Sequence, residues 1–302
     1  MRLVLFLGMT AALLYAQDDT PTFRTGTAQV KVDFLVLENK RPVGGLSKSD
    51  LEVHDEGVPQ PIDFLGHENV PLQLAILLDT SGSMTKLLRA MAAAAKQALS
   101  ALSSNDEVAV FYFARNTVNA LDLTRERSSA ARAIQQALQD DESGSGSAIY
   151  PAIIDVAQYL RKSGSPSARH AILILTDNGS MSYAVTDADV LRELSGADVV
   201  LDAIVPAGVK PPTSPPVPNS QFVPHNVFEI ASLSGGEVFP ATQSGERFRE
   251  ILERLRSRYV LTYKAPEAVS GSIRHIQVDL SPAARKRYPK AEVRARAGYY
   301  AP

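Results

Sequence analysis

Two stretches of the chain carry unbroken runs of apolar residues, and an aspartate follows each run. The first run extends from Leu74 to Leu78 and is followed by Asp79; the second extends from Ala171 to Leu175 and is followed, one residue later, by Asp177. Short apolar runs bounded by turn residues are typical of strands buried on both faces. We therefore predict two central strands of one sheet, each with a carboxylate at its carboxyl end.

Helical periodicity alternates with strands between residues 71 and 258. A helical face of Leu87, Met91, Ala95 and Ala98 follows the first apolar run directly, and further helix and strand patterns alternate to the end of this range. Such alternation favours a mostly parallel sheet with helices on both faces. We predict an α/β fold here, a Rossmann-like, doubly wound unit.

The two flanks of this unit have the period of two that is typical of strands with one buried face. Alternation is clear from Ala28 to Leu37, and strand patterns return after residue 258, separated by a basic segment, 284–290, that we expect to be a solvated loop. Neither flank is long enough to bury a core alone. We predict that residues 17–70 and 259–302 are the two halves of one small β-sandwich, into which the α/β unit of residues 71–258 is inserted.

The first sixteen residues differ from the rest of the chain. Arg2 precedes a short apolar run that ends at Ala16. This pattern is typical of a secretory signal peptide, and the run is short for a membrane span of about 20 residues. We predict removal of residues 1–16, a secreted or periplasmic protein, and no transmembrane segment after cleavage; an uncleaved anchor is the alternative.

Composition excludes several classes of function. The net charge of −2 gives no broad attraction to nucleic acid, so we expect no nucleic-acid partner. Without cysteine there is no disulfide, thiol nucleophile or thiolate metal site, and no pair of the five histidines has the spacing of a zinc-binding helix.

The turn after the first apolar run offers oxygen ligands. Asp79, Ser81 and Ser83 form a D-x-S-x-S motif with one anionic and two neutral oxygens, and Gly82 lets the turn close tightly. Hard cations such as Mg²⁺ prefer oxygen ligands in a near-octahedral arrangement. The alternative for this motif by itself is a helix cap, since Asp and Ser are favoured there.

Further oxygens are expected from two other loops. If the two apolar strands are neighbours, Asp177 faces Asp79, and the loop before the next helix brings a hydroxyl from Ser143, Ser145 or Ser147. Two carboxylates so placed repel each other unless a cation lies between them. A divalent cation would neutralise the pair and could still accept a carboxylate from outside.

Three motifs resemble the von Willebrand factor A domain with its metal-ion-dependent adhesion site: ILLDTSGSM, GSAIYPAI and LILTDNGS. The resemblance covers about residues 71–258. It implies one Mg²⁺ or Mn²⁺ held by Asp79, Ser81, Ser83, Ser147 and Asp177. Ser147 stands where the family usually has threonine, and a neighbouring loop serine is an alternative ligand. Asn178 stands where the family usually has glycine.

The flanks resemble secreted von Willebrand factor A-related proteins of acidobacteria. Together the resemblances imply a non-enzymatic, metal-dependent adhesion or interaction module whose protein partner offers an Asp or Glu carboxylate. One alternative is a structural envelope component with a vestigial metal site. A metal-assisted hydrolase is the other, although the motifs place no histidine, lysine or third carboxylate as a base. The sequence does not predict the partner or the oligomeric state.

Overall fold

A parallel-rich sheet with helices on both faces forms the middle of the chain. It is seen in a computed structural model that describes residues 28–67, 70–139, 146–179, 181–182, 185–212, 223–224, 226–241 and 246–301. The predicted signal peptide, together with Ser143 and Ser145, lies outside the described residues.

The described residues of the first flank form five strands and a 3₁₀ turn at Lys48–Asp50. Its strands are β1 (Gln29–Glu38), β2 (Arg41–Pro42), β3 (Leu51–Asp55), β4 (Val58–Pro59) and β5 (Phe64–Gly66).

The middle of the chain alternates strands with helices. Its elements are β6 (Leu72–Asp79), α1 (Thr85–Leu99), β7 (Glu107–Phe113), β8 (Thr117–Thr124), α2 (Arg127–Gln136), α3 (Ile149–Ser163), β9 (Arg169–Leu175), β10 (Met181–Ser182), α4 (Asp187–Gly196), β11 (Val199–Val205), β12 (Val223–Pro224), α5 (Val227–Ser234), β13 (Val238–Pro240) and α6 (Glu246–Arg256).

The second flank returns to strands. It contains β14 (Tyr259–Lys264), β15 (Ile273–Leu280), α7 (Pro282–Arg287), β16 (Ala291–Ala295) and β17 (Gly298–Tyr300).

The central sheet has six strands in the order β13-β11-β9-β6-β7-β8, and only β8 runs antiparallel to its neighbour. Every residue of β6 and β9 is buried. Alternate residues of β6 serve opposite layers: Leu74 and Ile76 pack with α1, α2 and α6, whereas Ala75 and Leu77 pack with α3, α4 and α5. The predicted doubly wound α/β unit is therefore confirmed.

The two flanks pair with each other to form the predicted β-sandwich. β1 lies between β14 and β16 in one antiparallel sheet, and β3 pairs with β15 in the other. A core that includes Phe34, Val53, Leu261 and Val278 lies between the two sheets. Each half supplies strands to both sheets, which is why neither half could bury this core alone. The domain boundaries given above stay a prediction.

The prediction that the basic segment 284–290 is a loop is wrong in part, because Pro282–Arg287 is a helix. The Ser281 side chain caps it, and Pro282 occupies its first turn, where the missing N–H has no helical partner in any case. Arg285 and Arg287 form ion pairs with Asp279 and Asp50. A helix this short has too few residues to show a periodic pattern.

A nearly buried ionic cluster joins the sandwich to the base of the α/β unit. Asp33, on β1, pairs with Arg169 at the start of β9 (Nε to Oδ2 2.6 Å) and with Arg258 beyond α6. Arg169 also donates to the carbonyls of Leu255 and Arg258. Although burial opposes ionisation, the two guanidinium groups hold the pKa of Asp33 below its ordinary value.

The loop after β9 is fastened to the start of α5. Asn178 has a positive φ of 58°, a left-handed conformation that Asn tolerates better than most residues. Its side-chain oxygen accepts a hydrogen bond from the Val227 N–H at 2.9 Å. That N–H belongs to the first residue of α5 and has no partner within the helix. Asparagine therefore adopts here the left-handed conformation for which glycine is favoured, and it adds a hydrogen bond to α5.

We expect Asp33→Asn to lower the free energy of unfolding by about 3–5 kcal/mol, because two buried guanidinium groups lose their counter-charge while the side-chain shape is kept. Urea denaturation followed by circular dichroism measures the change. Asp63→Asn, at an exposed position of the same flank, is the control and should change stability by less than about 0.5 kcal/mol. A loss at Asp33 no larger than that of the control would contradict the role of the cluster.

Substitutions of Asn178 should separate its conformation from its hydrogen bond. Asn178→Ala should lower the free energy of unfolding by about 1–2 kcal/mol, because alanine disfavours a positive φ and leaves the Val227 N–H without its acceptor. Asn178→Gly removes only the bond and should cost less. Equal stability of the alanine variant and the wild type in urea denaturation would refute this account.

Candidate metal centre

Asp79 lies at the end of β6 and is fully buried. Its Oδ1 accepts the Ser81 N–H at 3.0 Å, while its Oδ2 accepts the hydroxyls of Ser147 and Thr176, each at 2.8 Å. Three loops therefore meet at one carboxylate.

The turn after Asp79 holds the two motif serines close together. A 3₁₀ turn at Gly82–Met84 brings the Oγ atoms of Ser81 and Ser83 to 3.2 Å from each other. Thr80 faces the other way, since both its N–H and its hydroxyl donate to the Phe113 carbonyl on β7. The turn is thereby fixed to the sheet, and Ser83 is exposed to solvent.

Ser147 reaches Asp79 from the segment that leads into α3. Gly146, with φ 109°, precedes it, and the next residue, Ala148, donates its N–H to the Ala114 carbonyl at 2.6 Å. This anchor positions the Ser147 hydroxyl beside the carboxylate. The alternative ligands Ser143 and Ser145 lie outside the described residues, so the choice among the three stays open.

Asp177 is in the same region but does not bond to the other candidate ligands within the described part of the chain. Its Oδ1 accepts the N–H of Gly179 at 2.9 Å, which folds the loop back on itself. The side chain is half-buried, whereas Gly179 is exposed. Asp177 therefore lies beside the cluster rather than in its hydrogen-bond network.

Thr176 is the residue that the sequence analysis missed. Its hydroxyl donates to Asp79 and accepts the Asn178 N–H at 3.1 Å. The register of the two central strands contains the signal: Leu78 lies opposite Leu175, so the residues that follow them also meet. Our sequence reasoning placed the two strands side by side without fixing their register.

Burial raises the pKa of Asp79 above its ordinary value, even though the hydrogen bonds from Ser81, Ser147 and Thr176 work in the opposite direction. None of these donors is a cationic side chain. Among the described residues, the ionised carboxylate is therefore stabilised by dipoles and not by an opposite charge, which is the electrostatic setting that suits a bound cation.

The donor set fits a small, hard cation. Adjacent ligands of an octahedral ion at ~2.1 Å lie about 3.0 Å from each other. The Ser81–Ser83 and Ser147–Asp79 oxygen pairs, at 3.2 and 2.8 Å, are compatible with such neighbouring positions. In the described ranges no three His, Cys, Asp or Glu residues are grouped as for a metal, so hydroxyls would have to supply much of any coordination here.

Comparison with known proteins gives one family match and several similar structures. Similar solved structures include an aerotolerance-related membrane protein from Bacteroides fragilis NCTC 9343, with 17% identity, a TM-score of 0.46, and coverage of 61% of this chain and 98% of that one. Another is conserved hypothetical protein BatB from Bacteroides thetaiotaomicron, with 17% identity, a TM-score of 0.45, and coverage of 61% and 98%. A third is von Willebrand factor type A from Catenulispora acidiphila, with 15% identity, a TM-score of 0.47, and coverage of 86% and 71%. No curated protein matches.

The family match falls on the strands that carry the centre. Residues 74–180 match the model of the von Willebrand factor type A domain. This segment extends from β6 past the end of β9 and includes all five predicted ligands. The resemblance of the flanks to acidobacterial proteins stays a prediction. Residues 74–180, within the α/β unit of this chain, are thus similar to the von Willebrand factor type A domain.

Proposed function

We propose that the chain is a secreted or periplasmic module that binds a protein partner through one Mg²⁺ or Mn²⁺. Von Willebrand factor type A domains commonly mediate protein interactions. The observation that carries the proposal is the buried Asp79 carboxylate, which receives hydroxyls from two other loops and, among the described residues, no cationic side chain. Asp33, the nearly buried aspartate of the ionic cluster, in contrast has two guanidinium partners.

Each candidate ligand has a distinct task in this proposal. Asp79 and Asp177 supply the negative charge, and the hydroxyls of Ser81, Ser83 and Ser147 supply neutral oxygens. When bound, the divalent ion supplies positive charge and an outward position at which a carboxylate oxygen of the partner can bind. Thr176 is a positioning residue, because its hydroxyl holds Asp79 Oδ2 in place.

Charge and exposure favour an acidic group on the partner. Two aspartates balance a divalent ion, so an Asp or Glu from outside meets a nearly neutral centre and not a negative one. Ser83 and Gly179, on two sides of the centre, are exposed, which leaves room for the partner's side chain. We propose binding rather than catalysis because the motifs place no histidine, lysine or third carboxylate as a base beside the two aspartates and the hydroxyls.

Export is the second part of the proposal. Within the described ranges, no helix has both the length and the apolar character needed to cross a membrane. Residues 1–16 carry the pattern of a signal peptide, and we propose that they direct export and are then removed.

Metal binding can be tested by calorimetric titration of the metal-stripped protein with Mg²⁺ and Mn²⁺. We expect saturable binding to the wild type, its loss in Asp79→Ala, and no change in Asp122→Ala, an exposed aspartate on β8 that serves as control. Ser147→Ala should weaken binding, and Ser147→Thr should retain it. Equal heats for wild type and Asp79→Ala, or no binding at millimolar metal, would favour a structural component with a vestigial site.

Export can be tested by expressing the full chain in a bacterium with two membranes and sequencing the amino terminus of the protein in each fraction. We expect the periplasmic or external protein to begin at Gln17, because Ala16 ends the apolar run. A variant with Leu5→Arg should remain in the cytoplasm, since a charge interrupts the apolar region. Exported protein that still begins at Met1 would contradict cleavage and support an anchor.

A further inference from the structure

A cleft of about 350 Å³ lies between the α/β unit and the sandwich. Helices α4 and α5 form one side, and the ends of β15 and β17 form the other. None of the five predicted metal ligands lines it. Binding pockets for small molecules are commonly about 300–1,000 Å³ and often occur where two units meet.

The walls of the cleft are mostly apolar. Leu191, Leu194 and Leu233 contribute from the helices, and Ile273 and Tyr300 contribute from the sandwich. Ile273 is 55% exposed although it is large and apolar. It lies opposite Tyr300 across the two strands, so the two side chains offer one apolar surface at the mouth.

The tyrosine side of this surface is held in place. The Tyr300 hydroxyl donates to the Ala188 carbonyl on α4 at 3.3 Å, and the Arg192 guanidinium lies 5.1 Å from the centre of its ring. These contacts link β17 to α4 across the cleft. The wall is thus formed in advance and needs little ordering when a molecule binds.

The carboxylates of the cleft have only neutral partners among the described residues. Asp187 accepts the Tyr150 hydroxyl at 2.5 Å, and Glu229 accepts the side-chain amide of Asn226 at 3.1 Å. Neither belongs to an ion pair in the described part of the chain.

The basic side chains that line the cleft already contact acids that do not line it. Arg296 pairs with Asp198 at 3.0 Å, and the ring of His275 lies 3.0 Å from the carboxylate of Glu56. The uncompensated charge in the cleft is therefore negative.

The helix ends reduce this charge without cancelling it. Asp187 and Glu229 lie in the first turns of α4 and α5, where each helix dipole contributes about half a positive charge. Two carboxylates against two such dipoles leave roughly one net negative charge. The two acids thus stabilise their helices and still leave room for a single cation.

We propose that this cleft binds a small molecule with an apolar body and one cationic end. The body would lie against Leu191, Leu233 and Ile273, and the cationic end would face Asp187 and Glu229. The apolar walls supply contact area, and the unmatched carboxylates select the sign of the charge. This site does not depend on the metal centre or on the proposed partner.

Three probes of one shape and different charge test the proposal: 4-phenylbutylamine, 4-phenylbutanol and 4-phenylbutanoate, each titrated into the full chain and followed by NMR. We expect the protonated amine to bind most tightly and the carboxylate most weakly. Glu229→Gln should weaken amine binding about two- to fivefold, as expected for a partly exposed charge pair, and leave alcohol binding unchanged. Ile273→Ser should weaken the amine and the alcohol alike.

The control is Glu253→Gln, which removes a carboxylate from α6 that is also exposed but lies outside the cleft, and it should leave all affinities unchanged. Circular dichroism verifies that each variant is folded. If Ile273→Ser does not fold, the comparison of Glu229→Gln with the wild type still tests the proposal. Three results would overturn the proposal: no saturable binding of the amine, binding of the carboxylate as tight as that of the amine, or an amine affinity unaffected by Glu229→Gln.

Discussion

A carboxylate that leaves water must meet positive charge or hydrogen-bond donors, and this constraint distinguishes the two most informative aspartates of the chain. Asp33 is placed between two guanidinium groups, which lower its pKa despite burial. Asp79 receives one N–H and hydroxyl groups, and burial raises its pKa. Asp33 lies on a strand of the sandwich and Asp79 lies at the end of a strand of the central sheet, and of these two only Asp33 has a cationic partner among the described residues. The first therefore acts as a structural joint, and the second is the better candidate for an external cation.

Much of the fold could be predicted because its signals are local. The runs from Leu74 to Leu78 and from Ala171 to Leu175 are continuous because helices cover both faces of β6 and β9. The first half of β1 alternates because one of its faces packs in the sandwich. The pairing of the flanks followed from their strand patterns and from their size, since neither flank could bury a core alone. These arguments need only the local sequence pattern and general rules on which strand faces are buried and how large a unit must be to bury a core.

What the sequence did not predict depends on contacts between distant residues or on exact register. Asp33 is separated from Arg169 by 136 positions and from Arg258 by 225, and in the sequence it is simply a polar residue on an alternating strand. Thr176 joins the centre because Leu78 and Leu175 are in register, which no local pattern fixes. The motif residues of the centre could be predicted because their chemistry is visible in the local sequence. The contacts that hold them could not, because those contacts join distant parts of the chain.

Strand β9 connects these features, since Arg169 begins it and Thr176 and Asp177 follow its end. Its seven residues extend over about 20 Å. At an effective dielectric constant of about 20, two charges so far apart interact by roughly 0.8 kcal/mol, compared with about 4 kcal/mol at 4 Å. Charge gained or lost at the metal centre would therefore disturb the ionic cluster little. The strand instead determines where the candidate ligands lie. The ionic cluster holds the start of β9 against the sandwich, and the burial of β9 in the central sheet holds the end at which the candidate ligands meet.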